Sequence, residues 1–469
     1  MTDAASLARR IDALGLEQLR VGWCDWHGSL RGKTRVVAGD SRACADAVAS
    51  GIGMVGTMLL KDTSDRTVSK VFEPGAMAAG LAPLAGAANV VLHAEADSLV
   101  ALPWAPGTGW LRAMASFDDG TPVPLCTRRV LVAAVDALAA QGLQLRCGLE
   151  VEFHVHRIEN DALAAAQAGW PGVPPAVRHT HAGYRLLGEE HADAADEVLA
   201  IVRRTALALA LPLRSLEIEF GPSQFEAVFA PLPALAAADA LVLFRSAARQ
   251  ALRRAGYLAS FVCRPPLPAS VASGWHLHQS LADDEGASVM PGQGRGGLSA
   301  RAEAWLAGLL AHAGALAAVS APSLDGGTRL AGSLMAPRAA VWARENRGAM
   351  LRVVGHGAAT RIENRIGEPM ANPYLVMAAQ VHAGLDGIAG GLQAPPATDA
   401  PYADVPPPLR LPATLAAALD ALDADAALRR GLGATLVDTY LAIKRHEVAR
   451  WAAAEDREQW CAREYFGRF

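Results

Sequence analysis

Cysteine, aromatic residues and uninterrupted apolar runs are all scarce in this chain, and each scarcity excludes something. Six cysteines (Cys24, Cys44, Cys126, Cys147, Cys263 and Cys461) are scattered over 469 residues without a CxxC pair, so neither a disulfide scaffold nor a thiolate zinc site is expected. Lys and Arg number 43 against 47 Asp and Glu, a formal net charge of −4. That balance, with no cationic patch in the sequence, argues against a nucleic-acid partner held by bulk electrostatics. No window reaches the roughly 18 uncharged apolar residues of a membrane span, and MTDAASLARRIDALG lacks the apolar core of a signal peptide. Cytoplasmic residence without a membrane partner is the expectation. A Walker loop and a GxGxxG turn after a strand are absent as well.

What is present is alternation. In LRCGLEVEFHVHRI (145–158) the residues Leu145, Cys147, Leu149, Val151, Phe153 and Val155 share one strand face, and Arg146, Glu150, Glu152, His154 and His156 share the other. Read alone, the polar set could be the solvated face of an ordinary sheet. The same grammar returns in RSLEIEFG, QFEAVF, SGWHLHQSL and TRIENRIG, where Glu219, Glu226, His276, His278, Ser280, Arg361, Glu363 and Arg365 alternate with apolar or neutral neighbours. Several strands therefore aim polar groups at one place.

A buried carboxylate costs several kcal/mol unless compensated, and carboxylates on one sheet face repel each other. Divalent cations are the natural compensation, and oxygen donors with imidazole point to Mg²⁺ or Mn²⁺. Arg344, Arg347, Arg352, Arg361 and Arg365 crowd one short stretch beside Glu363, and planar guanidinium forks suit phosphate and carboxylate oxygens. The residues predict a metal-dependent enzyme that handles phosphate.

The first hundred residues predict a small α+β module, with helices over about 3–14 and 41–50 and strands around 20–37 and 89–103. A Pro/Gly-rich linker at 103–110 places the boundary between domains 1–104 and 105–469. Helical periodicity then recurs over 193–211, 234–256, 301–319, 371–390 and 412–455, so the larger domain is expected to be a helix-backed sheet.

Taken in order, four motifs resemble the glutamine synthetase superfamily over nearly the whole chain. GLEVEFHVH resembles its G-x-E-x-E-F element, EFGPSQFE its E-x-G-P-x-Q-x-E element, SGWHLHQSL its G-S-G-x-H-x-H-x-S-L element, and RIENRIGEPMANPYLVMAAQVHAGLDGI its R-x-E-x-R and A-N-P-Y segment. The resemblance implies an α+β fold: an N-terminal β-grasp domain, and a C-terminal catalytic domain whose curved antiparallel sheet is backed by helices. It implies one metal on Glu152, Glu219 and Glu226, a second on Glu150, His276 and Glu363, and ATP contacts from His278, Ser280, Arg352 and Arg361. Arg329 would bind the α-carboxylate of glutamate, Arg365 its γ-carboxyl side, and Arg347 the transferred phosphoryl group. Asp62 falls near the amine-binding aspartate of the small domain. The implied assembly is a homo-oligomer, a dodecamer of two stacked hexameric rings with active sites between subunits.

The chain departs from that pattern where it matters for the acceptor. Ammonia-using members carry a flap glutamate in a G-Y-E-A-P-like stretch, whereas here GSLMAPR puts Met335 in its place. A thioether cannot pair with ammonium but suits an apolar group. Trp275 before His276, and Val271-Ala272 where N-G is usual, are expected to make the pocket smaller or more apolar, and Lys61 beside Asp62 disfavours a cationic polyamine. The expected activity is ATP-dependent formation of a γ-glutamyl amide from glutamate and a substituted primary amine through a γ-glutamyl phosphate. The alternatives are glutamine synthetase proper using ammonium, a catalytically silent structural or regulatory relative, and a dinuclear metallohydrolase. Tyr402, in PYADVPPP, is a further residue to compare with the family's regulatory tyrosine.

Overall fold

The computed structural model describes residues 3–332, 335–403 and 406–469. Its N-terminal part is a sheet of strands β1 (Gln18–Cys24), β2 (Leu30–Val36), β3 (Ile52–Val55), β4 (Asn89–Ala94), β5 (Val100–Ala101) and β6 (Thr108–Ser116), in the order β2-β1-β6-β4-β3 with β5 on β6. Helices Ala4–Ala13 and Ser41–Ala49 each begin at an aspartate, Asp3 and Asp40, whose carboxylate accepts a backbone N–H of the first turn at 3.0 and 2.8 Å. The boundary expected at 104 needs correction. β6 is the central strand, parallel to β1 and antiparallel to β4, so the small sheet runs on to Ser116.

The larger sheet is built around β7 (Gln144–Asn160), with β8 (Ala176–His179), β9 (Leu213–Ile218), β10 (Gln224–Pro233), β11 (Tyr257–Ser260), β12 (Trp275–Ala282), β13 (Trp342–Arg344), β14 (Leu351–Val354) and β15 (Arg361–Gly367). Its order is β13-β14-β15-β12-β7-β10-β9, with β8 and β11 also on β7. Every pair is antiparallel except the edge pair β13–β14. The apolar face of β7 is buried as its alternation predicts, and Phe153 stacks on Phe225 and Phe261 with ring centroids 5.8 and 5.2 Å apart. Phe244, on the backing helix Ala234–Arg254, meets Phe153 edge-on at 6.0 Å. The helix therefore covers the face opposite Glu150 and Glu152.

Two expected helices are broken for identifiable reasons. The 301–319 stretch is two helices, Ala300–Ala311 and Ala313–Ser320, bent by 73°. The 412–455 stretch is three: Leu415–Ala424, Ala426–Leu432 and Ala434–Ala452. Asp425 ends the first of these and caps the second, and Gly433, at φ 93°, supplies a conformation closed to other residues. His312, at the bend, bridges Asp425 at 2.6 Å and Asp386 at 3.1 Å. Among the described residues no single helix is long and apolar enough to cross a membrane.

Helix Ala434–Ala452 ties the two parts together. Asp62, fully buried, accepts the backbone N–H of Ser64 and Arg66, each at 2.9 Å, and its other oxygen lies 3.1 Å from both His446 and Arg450. Arg450 also pairs with Glu464, which accepts the hydroxyls of Thr63 and Ser64. Burial pushes the Glu464 carboxyl up, but Arg450 and those hydroxyls override it and hold the group below its ordinary value. Removing Arg450 would strand two buried carboxylates. Arg450→Ala is therefore expected to cost about 3–5 kcal/mol in guanidinium unfolding, whereas Arg42→Ala, which breaks an exposed ion pair with Asp46, should leave the midpoint unchanged. Equal effects of the two variants would show that the Arg450 network is not structural.

Candidate active site

Strand register sets out the polar face residue by residue. Glu226 of β10 stands opposite both Glu152 of β7 and Glu217 of β9, and His276 of β12 stands opposite Glu150. His278 is opposite Glu363 of β15, which is in turn opposite Arg352 of β14. Directly opposed side chains sit about 5 Å apart, and like charges so placed are destabilising. β15 carries an extra residue between its pairs with Trp275 and Leu277, a bulge of the kind that re-aims side chains.

The resulting cluster has two electrostatic halves. On the β12–β15 side, Glu150 lies 2.9 Å from His278 Nε2 and 3.3 Å from His276 Nδ1, while Glu363 pairs with Arg352 at 3.0 Å and with Arg365. Burial works to raise both carboxyls, yet the imidazoles hold Glu150 well below the ordinary range, and His276 with Arg365 holds Glu363 below it. Burial and the Arg365 guanidinium push His276 down to about 4. On the β7–β10 side the nearby guanidinium groups of Arg329 and Arg365 do not offset burial and mutual repulsion. Burial, then Glu152, Glu150, Glu219 and Glu217, push Glu226 up to about 10. Burial and Glu219 raise Glu152 to about 8 against the pull of Arg329.

Glu152 is nonetheless held in place. It accepts Gln224 Nε2 at 3.0 Å and the backbone N–H of Gly274 at 2.9 Å. A Cβ at Gly274 would come within 2.6 Å of the Arg329 guanidinium and 3.0 Å of His276 Nε2, so only glycine lets these groups converge. Arg329 itself is buried in helix Leu324–Gly332, anchored on the carbonyls of Arg365 and Ile366 at 3.3 and 3.4 Å.

Donor atoms of Glu150, Glu226 and His276, and separately of Glu150, His278 and Glu363, lie within 4.8 Å of one another. Carboxylates with one imidazole per group form a hard donor set suited to Mg²⁺ or Mn²⁺, and the raised carboxyls of the β7–β10 side mark where positive charge is needed. The residues fit a divalent-cation site flanked by guanidinium groups.

The glutamine synthetase catalytic-domain profile matches residues 124–465. The chain is 39% identical to a gamma-glutamylanilide synthase of Acinetobacter over 99% of its own length and 96% of that protein. It is 30% identical to a gamma-glutamylpolyamine synthetase of Streptomyces coelicolor, over 97% and 94%. It superposes on a solved GmaS/ADP complex with a TM-score of 0.79 at 28% identity, covering 99% of both chains. The chain belongs to the glutamine synthetase family. As its relatives are synthetases and ligases, it is an ATP-dependent carbon–nitrogen ligase.

With the family established, the structure places the residues expected from the motifs as follows. Glu150, Glu152, Glu226, His276, His278, Arg352, Glu363 and Arg365 come together, with Arg329 beside Glu152. Glu219 lies just past β9, close enough to Glu152 to raise its pKa but outside both donor groups. Arg361 donates Nε to His278 Nδ1 at 3.2 Å, and Ser280, on the same strand face as His278, pairs in register with Arg146. Arg347 is exposed in the turn between β13 and β14 and makes no ion pair with a described residue. Met335 is 46% exposed and its carbonyl lies 3.5 Å from the Arg365 guanidinium.

One expectation changes. Trp275 is fully buried in the hydrophobic core, because strand alternation turns it away from His276, so it does not line the polar face. Asp62 meets none of these residues within the chain, since both its oxygens are committed to its own turn and to His446 and Arg450. His154 and His156, on the polar side of β7, are fully buried, with His156 packed on His179 and Phe466. Tyr402 is 43% exposed beneath the guanidinium of Arg338.

Four contributors lie outside the residues expected from the motifs. Gln224 positions Glu152, Gly274 leaves room for Arg329, Glu217 completes the row of three carboxylates, and Glu345 holds Arg352 at 2.8 Å. Gln224 and Glu217 were findable, because each lies two residues from a glutamate already singled out and so shares its face.

The raised carboxyls fix a pH signature. A carboxyl whose pKa rises on folding gives stability that is full below its ordinary value of 4.5 and lost as pH climbs through the folded values, about 8 for Glu152 and about 10 for Glu226. Glu150, already ionised, changes nothing in that window. Without divalent cations the thermal midpoint should fall between about pH 6 and pH 9, and the stabilisation by added Mg²⁺ or Mn²⁺ should widen over the same interval, with protons released on binding. A cation-induced shift that is independent of pH would remove these two carboxyls from the binding group.

Proposed function

We propose that the chain joins the γ-carboxyl of glutamate to a substituted primary amine, using ATP and forming a γ-glutamyl phosphate on the way. The single observation that carries this reading is the convergence of the carboxylate–imidazole cluster with Arg329 and Arg365, while Met335 stands where ammonia-using relatives have an acid. Divalent cations held by Glu152, Glu226 and Glu219, and by Glu150, His276 and Glu363, would neutralise nucleotide phosphates when bound. His278, Ser280, Arg352 and Arg361 lie on the same face for ATP. Donor geometry also makes His278 a candidate partner of Glu150 and Glu363.

In the reaction a γ-carboxylate oxygen attacks the terminal phosphorus and ADP leaves. The amine nitrogen then attacks the acyl carbon, phosphate departs with the C–O electron pair, and the nitrogen gives up a proton. Phosphoryl transfer is largely a matter of positioning and charge, which buried guanidinium groups with fixed partners supply. Arg329 would hold the α-carboxylate, Arg365 the γ-carboxyl side and Arg347 the departing phosphoryl charge. Relatives named for γ-glutamyl anilide, polyamine and ethanolamide synthesis, and for isopropylamine ligation, support a non-ammonia acceptor. The absence of an acid at Met335 supports an acceptor with an alkyl or aryl body. The assembly is a double ring of two hexamers with sites between subunits, a reading that rests on family likeness.

Phosphate release measured with Mg²⁺ or Mn²⁺, ATP, glutamate and a panel of amines tests the reaction. Turnover is expected with alkyl or aryl monoamines and not with ammonium, and Arg329→Gln should lower kcat/KM about 100-fold or more through weaker glutamate binding. Met335→Glu should shift the preference toward ammonium. Release with ammonium alone, or release that does not need glutamate, would overturn the proposal.

A further inference from the structure

The helix that backs the catalytic sheet has a second charged face. Helix Ala234–Arg254 carries Arg245, Arg249 and Arg253 at four-residue intervals, which stacks them in a column about 6 Å apart along the axis. The column borders a cavity of about 700 Å³ between this helix, the β1–β2 hairpin, the loop after β7 and the C-terminal residues Gly467–Phe469. Arg20, Arg254, Arg463 and Arg468 also line it, against Asp161 as its acidic side chain. Even with a carboxylate at Phe469 counted, cations outnumber anions.

These guanidinium groups are not spent on one another's counter-charges. Arg245, 6% exposed, donates to the carbonyls of Pro369, Ala371 and Gly28 at 2.6, 2.8 and 3.0 Å, and its Nε has no hydrogen-bond partner. Arg249 reaches the Gly467 carbonyl at 3.3 Å, again with an unpartnered buried Nε. Burial pushes both down to about 10, with Arg245 and Arg468 adding repulsion at Arg249. Arg468 has a carboxylate only at 3.9 Å, from Asp65. Among the described residues the helix arginines and Arg463 make no ion pair. Carbonyl dipoles orient such groups but leave their net charge uncompensated.

We infer that this cavity is a binding site for a small anion bearing two or more carboxylate or phosphate charges, on the opposite face of the sheet from the glutamate cluster. The graded depth of the column, from buried Arg245 to exposed Arg253, would let one charge of the ligand sit deep while another stays at the mouth. The Arg245 contacts also give the site a link to the chemistry, since Pro369 and Ala371 directly follow the strand that carries Glu363 and Arg365.

Titration calorimetry of the full chain with citrate, glutarate or pyrophosphate tests this, in divalent-free buffer without glutamate, ATP or amine. Arg249 and Arg253 lie on the other face of the sheet from Arg329 and Arg365, so binding that is lost in their variants is not binding at the glutamate cluster. At least one probe should bind, more weakly as salt rises, and Arg249→Gln should weaken it roughly tenfold or more. Arg253→Gln, at the exposed rim, is the variant least able to disturb folding and should weaken binding as well. Binding of citrate or glutarate alone would assign carboxylates, and of pyrophosphate alone phosphates. No binding by any probe, or unchanged binding in both variants, would overturn the site without bearing on the ligase reading.

Discussion

Repulsion among carboxylates on one face of the large sheet is the constraint on which the rest of this structure turns. Register puts Glu217, Glu226 and Glu152 in one row and surrounds Glu150 and Glu363 with imidazole and guanidinium groups. The consequence is a gradient of compensation across the sheet. On β12, β14 and β15 the protein supplies its own positive charge, so Glu150 and Glu363 stay ionised. Around Glu152 of β7 and Glu226 of β10 it does not, and both carboxyls are pushed up. A site built this way binds a cation most strongly where its own side chains stop, which separates the role of holding positive charge from that of presenting fixed guanidinium groups to a substrate.

Such a face is sustainable only because the other face is so well packed. Phe153 alternates with Glu152 and Val151 with Glu150, and the stack of Phe153, Phe225 and Phe261 under Phe244 fixes the strands that carry the carboxylates. Aromatic pairs at these separations add to the area they bury. Side chains whose backbone is fixed in this manner need little reorganisation to meet a developing charge, which is the condition under which electrostatic stabilisation is effective.

Much of this was legible in the sequence, and the residues show why. Period-two alternation identifies the faces of β7, β12 and β15, and the motifs alone bring Glu150, Glu152, Glu226, His276 and Glu363 to one place. Trp275, expected to line the pocket, instead follows the same alternation into the core, because it neighbours His276 on the strand. Helix ends inside 412–455 were missed because alanine-rich periodicity continues across Asp425 and Gly433, and only the cap and the positive φ reveal the breaks. Asp62 could not be placed from spacing, since its partners His446 and Arg450 lie almost four hundred residues away. Long-range partners of this kind are where local pattern has no information.

The near-neutral net charge of −4 conceals a separation that composition cannot express. Carboxylates collect on one face of the sheet, and the guanidinium groups of the backing helix collect beyond the other. Had Arg245 and Arg249 pointed through to Glu152 and Glu226, the two surpluses would have cancelled as buried ion pairs, at some cost in desolvation but with no need of a ligand. The packed layer of Phe153, Phe225, Phe244 and Phe261 stands between the sheet and the helix and keeps the two apart. Each surplus is thus left to be neutralised from outside the chain, by cations on one side and by an anion on the other, and the shared strands and the Arg245 contacts to Pro369 and Ala371 make the two occupancies mechanically adjacent.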